Sequence, residues 1–159
     1  MDLDTIRAES IVLDIQSTQK RDAILELLHR AEIFDCIDDV EALASSVLRR
    51  EEQMSTGFGR GVAIAHGDSS SIDHVICALG LSKRGVEFDS ADGRPVHILF
   101  IVVNPAAEQA EYLDVLSTLS AVLRSDEVRG RLRRCLCIVD VESTFRQAFT
   151  CDESNGGED

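Results

Sequence analysis

Apolar positions along the chain switch between two spacings. Residues 11–15 (IVLDI) form a short, contiguous, β-rich run, as a buried strand requires. Ser17 and Thr18 follow, and predict the N-cap of a helix that buries Ile24, Leu27, Leu28 and Ala31 on one stripe. Asp38 and Asp39 predict the start of a second helix, with Leu43, Ala44, Val47 and Leu48 inward and an end near Glu52. Gly57, Gly59 and Gly61 then predict a loop. Residues 62–65 read as a short buried strand that His66 and Gly67 end. Residues 75–81 predict a further strand, and 85–88 a short strand or sheet edge. Asp92-Gly93 is a turn signal, and 96–103 is the most apolar strand of the chain.

Beyond Pro105 the spacing becomes helical. Tyr112, Leu113, Leu116, Leu119, Ser120 and Leu123 are expected on one side of a helix. Asp126 is expected to cap a short helix through Leu132. After a short apolar run at 136–139, residues 140–149 predict a last helix with Val141, Phe145 and Phe149 inward. Strands and helices interleave, so the fold class is α/β. The expected layout is a lead at 1–7, one domain over 8–150, and an acidic, disordered tail at 151–159.

Composition changes this picture in three ways. At 159 residues the chain can bury roughly 70% of its unfolded surface, so one core suffices without disulfides or metals. The net charge of −13 is spread along the chain and argues against non-specific binding to nucleic acid or an anionic membrane. Five cysteines, at 36, 77, 135, 137 and 151, sit in apolar stretches, which predicts buried, reduced thiols and a cytoplasmic location. The first ten residues carry three acids and no apolar signal-peptide core, and no apolar run reaches the ~18 residues of a membrane span.

The candidate chemistry gathers between residues 50 and 67. A histidine at a strand end borders the kind of cleft where α/β sheets collect sites. The backbone N–H groups of Gly57, Gly59 and Gly61 can approach an anion closely, Ser55 and Thr56 offer hydroxyls, and Arg50 offers a two-pronged phosphate contact. A neutral His66 ring nitrogen can act as a nucleophile. His74 and His97 read as structural. His66, Asp68 and His74 match no zinc spacing, Cys135-x-Cys137 reads as core, and no motif requires a metal or a cofactor. The basic group Arg129, Arg131, Arg133 and Arg134 reads as a solvated helix end.

Taken together, Arg50-Glu51, Ser55-Thr56-Gly57, Gly59, Gly61-Val62-Ala63-Ile64 and His66 resemble the active-histidine motif of fructose/mannitol-type enzyme IIA domains of the bacterial phosphoenolpyruvate phosphotransferase system. Residues 85–89, 92–96 and Asn104-Pro105 extend the likeness, which covers about 8–150 and is similar to the stand-alone nitrogen-regulatory branch. The resemblance implies a mixed sheet with helices on both faces. It also implies that His66 accepts a phosphoryl group from an HPr-type phosphocarrier and that phosphorylation state is signalled to regulatory targets or passed to a separate IIB domain. Arg50, Thr56 and Tyr112 are the expected catalytic neighbours, Ser55, Gly57, Gly59 and Gly61 the phosphate-binding loop, and Phe58 and Arg60 the partner contacts. Two positions depart from the family pattern. Ala65 replaces a proline, and Tyr112 replaces a second histidine, which leaves a diverged, non-catalytic regulatory module as the alternative.

Overall fold

A computed structural model describes residues 5–106 and 109–154. In chain order its elements are β1 (Ile11–Val12), α1 (Lys20–Arg30), α2 (Val40–Gln53), β2 (Gly57–Gly59), β3 (Val62–Ser69), β4 (Ile76–Val86), β5 (Val96–Pro105), α3 (Gln109–Val122), α4 (Asp126–Arg134) and α5 (Ile138–Ser154). The strands form one mixed sheet in the order β1-β4-β5-β3-β2. Pairings β1/β4 and β3/β5 are parallel; β4/β5 and β2/β3 are antiparallel.

Alternate side chains of the central strands feed two separate cores. Ala63, Ala65, Leu99 and Ile101 pack with α1 and α2 residues such as Leu27, Leu43 and Val47. Val62, Ile64, Phe100 and Val102 pack on the other face with Val115, Leu119, Leu132 and Phe145 from α3, α4 and α5. Strands buried on both faces read as continuous apolar runs, which is why 96–103 shows no alternation.

Several local expectations are corrected. The first helix begins after Gln19, without a side-chain cap; Ser17 instead donates its hydroxyl to Glu26 at 2.9 Å. Asp39 does cap α2, accepting from the Ala42 N–H at 2.9 Å, whereas α4 is capped by Ser125 rather than Asp126. Leu113 is exposed, because the buried face of α3 runs through Val115, Leu119 and Val122. The last helix continues through Ser154, past the point where the tail was expected, and residues 155–159 lie outside those described. Cys77 and Cys135 are buried, but Cys36 and Cys137 are exposed in connecting segments.

Two corrections bear on function. The glycine-rich segment is an edge strand, β2, joined to β3 by a tight turn with Arg60 at φ 59° and Gly61 at φ 77°. Both central residues at positive φ make the turn whose twist suits a hairpin. In addition, β3 does not stop at His66. It stays in register with β5 through the pair Ser69–Pro105. Gly67 is a point of close approach: an added Cβ would lie 2.6 Å from Val47 Cγ2 and 2.9 Å from Leu43 Cδ1. This contact lets α2 lie hard against β3 and brings the end of α2 to the level of His66.

Candidate functional site

His66 is placed by two features of β3. Its side chain projects to the face that carries α3, on the same side as Ile64 and Val102. The strand edge beside it is open, because β2 pairs only at Val62 and Ala63 and the last backbone bond on that side is Ile64 N–H to the Thr56 carbonyl, 3.3 Å. Arg50, near the C-terminus of α2, reaches this edge from the opposite face. Its guanidinium stands 3.8 Å from the Asp68 carboxylate and is near enough to Tyr112 to draw the phenol pKa down.

The Tyr112 ring meets the His66 ring edge-on, with centroids 5.9 Å apart and planes at 83°. His66 Nδ1 is buried without a hydrogen-bond partner among the described residues. The imidazole lines a cleft of about 530 Å³ together with Arg50, Met54, Thr56, Leu116 and Ser120. With Nδ1 buried, Nε2 is the nitrogen offered to the cleft. Burial, and next the nearby Arg50 charge, push the imidazole pKa down from 6.5 to about 4, with Asp68 opposing. At neutral pH the ring is therefore uncharged and carries a free lone pair. Burial chiefly, with Asp68 adding to it, raises the Tyr112 phenol against the opposing Arg50, so its hydroxyl stays protonated and can donate.

The segment from Ser55 to Gly61 is held differently from the expectation. Thr56 gives its N–H, at 3.2 Å, and its hydroxyl to Glu51. The Ser55 hydroxyl donates to the Phe88 carbonyl at 2.8 Å. Both hydroxyl protons are thus engaged internally, and neither is free for an anion; these residues position the segment instead. Gly57 N–H is turned to Ser55 Oγ at 3.3 Å. Gly59 abuts Asp92, while Gly61 and Arg60 line a second cleft away from His66. The glycines serve a hairpin and close packing rather than an anion cradle around His66. The side chain of Phe58 lies outside the described residues.

Glu51 was quoted in the motif but was given no role by sequence reasoning. It is buried, and it also receives the Lys20 ammonium at 3.4 Å, which sits 5.2 Å from the Phe88 ring centroid. Its signal was present: Leu43, Val47 and Glu51 share one helical stripe, so an acid stands on a face otherwise committed to the core. Asp68 was named only in a rejected metal set. His97 Nδ1 donates to the Ser82 carbonyl at 2.8 Å, since a carbonyl only accepts. His74 contacts Asp73 at 2.7 Å, and neither histidine reaches His66's cleft.

The doubly covered mixed sheet and the single half-buried histidine at its open edge define an α/β domain built to present one neutral imidazole. The profile of the family described as "Phosphoenolpyruvate-dependent sugar phosphotransferase system, EIIA 2" matches residues 4–147, and the chain belongs to that family. A fructose-specific EIIA component of Haloferax volcanii is 34% identical over 82% of this chain and 86% of its own length. The fructose-specific EIIABC component of Bacillus subtilis is 35% identical over 77% of this chain, which spans only 19% of that larger protein. A nitrogen regulatory protein of Bradyrhizobium diazoefficiens is 28% identical over 82% of this chain and 84% of its length. The nitrogen regulatory protein IIA-Ntr of Neisseria meningitidis superposes with a TM-score of 0.82 at 27% identity, covering 89% of this chain and 97% of that one. Family and relatives together support a phosphotransferase-system phosphoryl-carrier or regulatory role. Among the described residues, no helix is long and apolar enough to cross a membrane.

Proposed function

We propose that the chain accepts a phosphoryl group on His66 Nε2 from a phosphohistidine carrier of the HPr type, and that its phosphorylation state controls a partner protein. The observation that carries this reading is the uncharged His66 ring, buried at Nδ1 and open at Nε2, beside Arg50 and Tyr112. In the transfer, the lone pair of Nε2 attacks phosphorus in line. The carrier's N–P bond breaks as the Nε2–P bond forms, and the carrier imidazole leaves with the bonding pair. The Arg50 guanidinium and the Tyr112 hydroxyl face the phosphoryl oxygens. Positioning and charge stabilisation are the principal tasks in such a step. Exposed Met54 and Leu113, from the two helices that flank His66, supply apolar surface for a docked carrier.

The test is incubation with phosphoenolpyruvate, enzyme I and the carrier, followed by intact-mass measurement. The expected result is one added phosphoryl group on the wild type and none on His66→Ala. No adduct on the wild type, or an equal adduct on the variant, overturns the reading. The second reading, a binding module without phosphotransfer, rests on Tyr112 standing where the family has a second histidine. Partner binding indifferent to His66→Ala and His66→Asp would support it.

A further inference from the structure

A second cleft, of about 550 Å³, opens at the other end of β3, where the Arg60-Gly61 turn, the Arg94-Pro95 segment and α4 converge. Val62, which follows Gly61, and His66 are four residues apart on β3, or roughly 13 Å. The cleft is therefore separate from the one that holds His66, and the two share no lining residue.

Its charge is out of keeping with the molecule. In a chain of net charge −13, Arg60, Arg94, Arg129 and Arg133 all line this one cavity. Arg129 is buried and fixed as a wall: it donates to the Leu123 and Arg124 carbonyls at 2.6 and 2.8 Å and pairs with Asp126, the one acid of the lining. That leaves the exposed guanidinium groups of Arg60, Arg94 and Arg133. Among the described residues, none of the three has a carboxylate within ion-pair distance.

They are also arranged, not scattered. Asp92 accepts from the backbone N–H of Arg60 at 2.8 Å and of Arg94 at 3.0 Å, which ties the hairpin tip to the neighbouring turn. The backbones of these two arginines are thereby held together, and Arg133, in the last turn of α4, lines the same cleft. Gly130, inside α4, also lines the cleft, and the Arg134 guanidinium packs against it, 3.3 Å from where a Cβ would stand.

Exposed arginines that line one cavity from separate elements match an anion with several oxygens in different directions, with Asp92 acting on Arg94 from beyond ion-pair distance. The volume lies within the roughly 300–1,000 Å³ of small-molecule sites. We propose that this cleft is a binding site for a compact polyanion, a phosphorylated small molecule carrying a second phosphate or carboxylate group. Such a ligand would be sensed independently of His66.

Isothermal titration calorimetry of the full chain with pyrophosphate, at about 0.15 M ionic strength, tests this. Pyrophosphate is expected to bind with Kd below about 1 mM. Arg94→Gln/Arg133→Gln is expected to weaken it at least tenfold, and His66→Ala to leave it unchanged. Both arginines are exposed, and Arg133→Gln alone, with an unchanged melting curve, serves as the second variant. Absence of binding to the wild type, equal binding to the arginine variants, or loss of binding in His66→Ala each overturns the proposal.

Discussion

The Tyr112 and His66 rings meet at 83°, with their centroids 5.9 Å apart, and the Arg50 charge acts on both side chains. Helix α3 thus sets a neutral donor beside the His66 imidazole. Removing the hydroxyl but keeping the ring, as in Tyr112→Phe, is expected to slow His66 phosphorylation about tenfold, the loss of about 1.4 kcal/mol from one hydrogen bond. Tyr112→His is expected to match or exceed the wild type, because an imidazolium offers a charge-assisted contact. Single-turnover transfer from the carrier measures both. A large loss in Tyr112→His would show that the tyrosine has a role that histidine cannot fill.

The His66 titration is set first by burial and then by Arg50. An NMR titration should find its midpoint near 4. Arg50→Gln should raise the midpoint while leaving it below 6.5, and Asp68→Asn should lower it. The native ring releases its proton at lower pH than the unfolded one, so the unfolded state binds more protons between about 4 and 6.5. The His66 contribution to stability is therefore full above 6.5 and is lost as pH falls towards 4. Urea unfolding across that window should show a weaker acid dependence in His66→Gln than in the wild type. An identical dependence in the two would contradict the burial of the ring.

Glu51 holds Thr56 and Lys20 from inside the protein. Glu51→Ala leaves their donors without a partner and is expected to cost about 3 kcal/mol. Lys20→Met removes a partly exposed charge and should cost less. Since Thr56 precedes β2 and borders the cleft, Glu51→Gln is also expected to slow phosphoryl transfer. Denaturant melts and transfer rates measured on the same samples separate the two effects.

The Gly67 contact makes a prediction about packing. Gly67→Ala should destabilise by about 1–3 kcal/mol by forcing α2 away from β3, and should slow transfer by moving Arg50. In a Val47→Ala background the clash is relieved, so the penalty of Gly67→Ala should shrink. Simple additivity of the two substitutions would show that the close approach is not the cause.

Much of this architecture was legible in order along the chain. The buried stripes of α1 and α2 and the long β5 run follow from periodicity, since each reflects how a local element meets an apolar face. Asp39 was legible as a cap because its side chain bonds three residues on. The end of β3 was not legible. His66-Gly67 has the composition of a turn, yet pairing with β5, more than thirty residues away, keeps the strand running. Nor was the use of the Ser55 and Thr56 hydroxyls, whose partners are Phe88 and Glu51. The basic group on α4 also divided once folded. Arg129 turned inward, Arg131 bonded Gln147 at 2.6 Å, and Arg133 joined the second cleft.

By itself, then, the sequence determined the family, the class of fold and the two-sided burial of the sheet, and it singled out His66 as the residue to test. Those depend on local spacing and on a motif read in register. Tertiary structure alone decided which nitrogen of His66 is open, that glycines 57–61 build a hairpin and not an anion cradle, and that arginines from three separate segments share a cavity. Each of these depends on groups brought together across the sheet. Desolvation, competition for a hydroxyl proton and the convergence of charge exist only when the partners are in place.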